Sequence, residues 1–95
     1  MIKVLMERDM PANFDPRDDA QAARHARIAL DAITATKGKM HWLCTCATDD
    51  QKLFGLVVVE SEDVIADYVK QAGINSAFKV HRVTRLLDPA PAAPK

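Results

Sequence analysis

Ninety-five residues, 48% hydrophobic and 27% charged, make one small globular domain rather than a disordered chain. Thirteen basic residues balance thirteen acidic ones, so a grip on a phosphate backbone by charge is disfavoured and nucleic acid is not an expected partner. No apolar run approaches the roughly 20 residues that span a bilayer, and Glu7, Arg8 and Asp9 follow the first short apolar segment, unlike a secretory signal; the expectation is a cytoplasmic protein with no membrane partner.

Residues 2–7 are β-prone and form the first expected strand. The segment from Asp9 to Phe14 is a loop punctuated by Pro11. Asp15 then offers a helix cap, with Pro16 at the first helical position and Asp18 and Asp19 in the first turn. Ala23, Ala26, Leu30 and Ile33 repeat at helical spacing as the expected inner stripe, and Arg24, Arg27 and Asp31 share the opposite face. Gly38 ends this helix near Lys37. Residues 39–48 and 52–60 read as a hairpin about a short acidic turn. Ser61 caps a second helix, which carries Glu62 and Asp63 in its first turn, a stripe of Val64, Ile65, Tyr68 and Val69, and Gly73 just past its end. Residues 78–87 form the last strand, stopped by Pro89. A disordered tail is expected at 90–95, leaving 1–89 as the domain.

The order β-α-β-β-α-β predicts an α+β, ferredoxin-like domain, with two helices on one face of a four-stranded antiparallel sheet. The other sheet face is left open. The third strand reads Leu53-Phe54-Gly55-Leu56-Val57-Val58-Val59, apolar at both parities. Such a strand is expected to be buried on both sides, and no third helix exists to do it. A second copy of the chain is the simplest cover, which predicts a homodimer through the open sheet face in a dimeric α/β-barrel assembly.

Candidate chemistry is sparse. Cys44 and Cys46 lie two apart on one predicted strand, with Cα atoms roughly 6.5–7 Å apart at about 3.3 Å per residue. That is the limit of disulfide geometry, so free thiols are expected, packed into the core as small hydrophobes, with a metal role as the lesser alternative. His41 has the opposite parity and is expected on the other side of the sheet. His41 and His81 belong to opposite edges, about 14 Å apart over three strand spacings. His25 reads as a solvated residue at the margin of the first helix. Lys52-Leu53-Phe54-Gly55-Leu56-Val57 faintly echoes an RNA-binding strand, but Phe54 is the only aromatic platform. Lys79, Arg82 and Arg85 read as charges that protect a sheet edge. Glu7, Arg8 and Asp9 sit where the mouth of a cavity would be, with no nucleophile paired to them.

Glu7-Arg8, Trp42, Thr48-Asp49-Asp50, Ile65, Gly73 and Asp88-Pro89 together resemble the nickel-binding-protein-like family of small ferredoxin-like domains, otherwise of unknown function. The likeness spans nearly the whole chain and is strongest over residues 41–89. It implies sheet-to-sheet dimers and nickel binding. The chain departs from the family pattern at four positions. Gly55 stands where relatives carry cysteine, Tyr68 where they carry histidine, Cys44 in place of a polar or acidic residue, and Cys46 in place of an aromatic. A two-residue turn at Asp49-Asp50 would set Cys44 near Gly55, supplying a sulfur ligand from across the hairpin. The candidate metal ligands are therefore Cys44 and Cys46, completed by His81 or Glu7 of a partner chain, for nickel or zinc. The expected function is a non-enzymatic, dimeric domain that binds a small ligand or a metal. The alternative is a small dimeric α/β-barrel enzyme, of the cofactor-independent monooxygenase or isomerase type, working in the cavity between sheet and helices. A purely structural or interaction domain is a third reading.

Overall fold

The computed structural model describes residues 1–87; the stop expected at Pro89 and the tail at 90–95 lie outside the described residues. The elements are β1 (Ile2–Asp9), α1 (Asp19–Thr34), β2 (Met40–Ala47), β3 (Lys52–Val59), α2 (Glu62–Ala72) and β4 (Phe78–Arg82). All strand pairs are antiparallel and the sheet order is β2-β3-β1-β4. This is the ferredoxin-like arrangement expected.

Strand alternation decides which side chains are covered. Val4 and Met6 of β1, Met40 of β2, and Val57 and Val59 of β3 share one face and form the core with Val64 and Ile65 of α2. Both helices lie on that side. On the other face Leu5, Phe54, Leu56 and Val58 remain only half-buried, so β3 is apolar on a face that no element among the described residues covers.

Several local expectations are corrected. Helix α1 begins three residues later than Asp15-Pro16 suggested, because Asp18 captures the first turn: its Oδ2 accepts the Gln21 N–H at 3.0 Å. Asp15 instead closes a turn, its Oδ1 accepting from the Arg17 N–H. The inner stripe of α1 is also rotated. Ala29 and Ala32 are buried and Ala22, His25, Ala26 and Ile33 half-buried, whereas Ala23 and Leu30 are exposed. Apolar residues surround this helix, so hydrophobicity alone selected the wrong stripe. At α2, Ser61 occupies the cap position but its hydroxyl makes no capping hydrogen bond. The other end closes as expected: Gly73 is left-handed (φ 69°), and the N–H groups of Gly73 and Ile74 reach the Lys70 and Val69 carbonyls. Strand β4 stops at Arg82, after which the Val83 N–H still reaches the Lys3 carbonyl at 2.9 Å. Its only strand partner among the described residues, β1, begins at Ile2, so it could not have paired the strand as far as residue 87.

The hairpin holds the largest correction. Its loop has four residues, with the Thr48 N–H on the Lys52 carbonyl and Gln51 at φ 67°. A β-bulge between Trp42 and Cys44 adds a residue to β2. Beyond the bulge, Cys44 pairs with Leu56, Thr45 with Gly55 and Cys46 with Phe54.

Candidate ligand cleft

The chemistry gathers between the sheet and the helices, at the end where β1 leaves the sheet. Arg8 follows the buried Met6 by two residues and so points to the helix side of the sheet. His25 comes from the inner stripe of α1 and Tyr68 from that of α2. These three side chains line both an inner pocket of about 40 Å³ and an outer cleft of about 390 Å³. They form the neck between the two.

The inner pocket is apolar, walled by Met6, Ala29, Ile33, Leu53, Val57 and the ring of Trp42. Its floor is polar at one point. Trp42 Nε1 donates to Thr45 Oγ1 at 2.8 Å, and Gly55 lies across the ladder from Thr45. Gly55 has no positive φ, so its backbone does not require glycine. What the missing side chain supplies is room. A glycine inside a strand weakens it and often marks the close approach of another group.

Electrostatically the cleft is one-sided. No Asp or Glu lines the inner pocket or the outer cleft, and Arg8 is the one permanent charge in either. Among the described residues, Arg8 makes no ion pair and no side-chain hydrogen bond. Burial lowers its pKa, opposed by the nearby Tyr68. Burial, and then the charge of Arg8, hold the His25 pKa below the ordinary imidazole value. Burial raises the Tyr68 pKa against the pull of Arg8. Near neutral pH the neck therefore holds one guanidinium, a neutral imidazole beside the ring of Phe14 (centroids 5.4 Å apart) and a neutral phenol. Such a set donates hydrogen bonds to an anion. Its one side chain that titrates in the mildly acid range is His25, which takes up a proton only below the ordinary imidazole range.

The sequence placed Arg8 at the mouth of a cavity, and it is there. Its neighbours Glu7 and Asp9 line a different hollow, of about 160 Å³, because alternate residues of β1 face the other side. Glu7 Oε1 lies 3.1 Å from His81 Nε2, and Asp9 pairs with Lys52 at 2.5 Å. The Asp9 pKa is lowered and the Lys52 pKa raised by that hydrogen bond. His25 is half-buried in the neck rather than solvated, and no periodicity signalled it. Gly55 in mid-strand was the available signal.

The bulge also corrects the reading of His41, Cys44 and Cys46. Opposite parity should separate them, but the extra residue restores phase. His41 pairs with Val58, Cys44 with Leu56 and Cys46 with Phe54, and all three belong to the open face. Cys44 is therefore not beside Gly55, which faces the helices, and no sulfur crosses the hairpin to that position. Both cysteines are free thiols, but they are exposed rather than packed in the core, because the bulge turns them to the side away from the helices. Glu7 and His81 share the open face with them, but β3 intervenes and separates β2 from β1 by about 10 Å. Among the described residues, no group of three or more His, Cys, Asp or Glu side chains is placed to hold a metal ion. Gly55 and Tyr68 both line the inner pocket. Of the basic residues in the last strand, Lys79 is on the open face, Arg82 lies 3.6 Å from Glu62 on the helix side, and Arg85 is exposed beyond β4.

The class defined by this architecture is a ferredoxin-like α+β domain with a cleft between sheet and helices. No family model matches the chain, and no curated protein matches it in sequence. Among solved structures it is similar to SCO4226 from Streptomyces coelicolor A3(2), with a TM-score of 0.66 and 13% identity, over 88% of this chain and 99% of that one. The likeness is one of fold. No helix among the described residues is long and apolar enough to cross a membrane.

Proposed function

We propose that this chain is a dimeric, non-enzymatic domain that binds a small molecule in the cleft between its sheet and its helices. The observation that carries this reading is the convergence of Arg8, His25 and Tyr68, from three different elements, on the neck of an apolar pocket. A pocket of mostly apolar walls with a few converging polar groups is the usual form of a ligand site. Dimerisation follows from the open face. Leu5, Phe54, Leu56 and Val58 form its apolar centre, with Lys3 towards one end of β1 and Glu7, Lys79 and Asp9 towards the other. A two-fold contact of this face with a second copy can pair those opposite charges around an apolar middle. The ligand site is tested by titrating labelled protein with cyclohexanol, a neutral apolar probe. Amide shifts confined to residues around Trp42, Thr45 and Gly55 are expected. Shifts spread evenly over the surface would sink the reading.

A second reading keeps a metal at the dimer interface, favoured by the bulge that sets His41, Cys44 and Cys46 on the open face. Thiolates from β2 of one chain, with His81 or Glu7 of the other, would suit nickel or zinc. Calorimetry should then detect binding near neutral pH, weakened more than tenfold when Cys44 and Cys46 are both changed to serine. An undiminished affinity in that double variant removes this site.

A further inference from the structure

We infer that the cleft selects a small monocarboxylate with an apolar tail, its carboxylate held by Arg8 at the neck. This rests on the cleft being a ligand site and adds the chemical class. Arg8 is the decisive residue. Its guanidinium is half-buried and lacks a carboxylate partner among the described residues; neither the inner pocket nor the outer cleft carries an acidic side chain, and Glu7 and Asp9 share only a separate surface hollow with it. Among the described residues, the ion pairs of Asp9 with Lys52, Arg82 with Glu62 and Arg27 with Asp31 all lie outside the cleft. A partly desolvated cation without a counter-charge is costly, and an anion entering the neck offsets that cost.

The donors around Arg8 point to the same chemistry. Tyr68 is protonated near neutral pH, as a phenol ordinarily is, and burial moves its pKa further up, so it offers an O–H. His25, held neutral by burial and by Arg8, offers one N–H. A planar carboxylate matches the guanidinium fork and leaves an oxygen for a further donor. Phosphate, with more charge and three or four oxygens to satisfy, would meet a single permanent cation here. The apolar walls of Met6, Ile33, Leu53 and Val57 lie beyond the neck, and Met10, Pro11 and Ile28 line the cleft outside it. The ligand is therefore charged at one point and apolar elsewhere. The inner pocket of about 40 Å³ admits a few carbon atoms at most, and the outer cleft of about 390 Å³ takes the remainder.

The chain has one tryptophan, and it lines the inner pocket, so its fluorescence reports directly on occupancy. Intact protein is titrated with hexanoate and, separately, with the neutral isostere hexanamide at constant ionic strength. Hexanoate is expected to saturate the Trp42 signal at concentrations at least tenfold lower than hexanamide. Arg8→Met, which keeps the apolar stem, should bring the two ligands within about twofold, while Arg8→Lys retains part of the preference. Equal affinity of native protein for both ligands overturns the carboxylate assignment and leaves the cleft as a ligand site. Saturation by neither overturns both. The comparison within native protein decides the matter even where Arg8→Met fails to fold.

Discussion

Gly55 faces Thr45 across the β2–β3 ladder, and a Cβ built on Gly55 would lie 3.4 Å from the Thr45 hydroxyl oxygen. That is close contact without a clash, at a position where the backbone does not require glycine. Gly55→Ala should therefore fold normally and gain up to about 1 kcal/mol in denaturant unfolding, from the reduced freedom of the unfolded chain. Gly55→Leu should keep the native circular dichroism but fill the inner pocket, abolishing the response of Trp42 to hexanoate. A leucine variant that binds as well as native protein would place the ligand elsewhere.

Val58 lies at the centre of the open face, paired with Lys3 on one side and His41 on the other, whereas Val57 is buried against the helices. Native protein should scatter light as twice the chain mass of 10.5 kDa. Val58→Asp should bring it to a monomer by placing a charge in an apolar contact. A native monomer at micromolar concentration defeats the dimer. Val57→Asp, in contrast, should unfold the chain.

Two substitutions separate backbone from packing. Gly73→Ala forces a side chain into the left-handed turn that closes α2 and should cost about 1 kcal/mol. Met40→Ala empties one of the most buried positions, 1% exposed, and should cost about 2–5 kcal/mol. Urea unfolding reads both, and the reverse order of severity would contradict the core described.

His25 titrates lower in the folded chain than in the unfolded one, because burial and then the charge of Arg8 disfavour its protonated form. As pH falls through the unfolded value of about 6.5, the unfolded state takes up the proton first. The stability that neutral His25 contributes is thus present above that pH and declines below it, until the folded imidazole also protonates. His25→Gln should flatten this part of the melting-temperature profile. A bound carboxylate stabilises the protonated ring, so hexanoate should bind more tightly as pH drops through the same window, and the glutamine variant should lose the trend. Binding that weakens over this window would exclude His25 from the neck.

Element order was legible in the chain itself. Strand alternation, the Asp-Asp turn between two β-rich runs and the Gly73 stop follow from local backbone preference, and these led directly to the ferredoxin-like arrangement. The apolar character of β3 on both parities likewise pointed to a second apolar face, which no element among the described residues covers. Pairing and phase were decided only in three dimensions. One extra residue between Trp42 and Cys44 moved both cysteines to the side of His41, because a bulge reverses every later side chain and leaves no signature in hydrophobicity. The stripe of α1 was rotated for a related reason: with apolar residues all round the helix, contact with the sheet chose the inner face. The neck of the cleft joins residues 8, 25 and 68, which are remote in the chain and share no motif. Only the packing of two helices on one sheet brings that guanidinium, imidazole and phenol together.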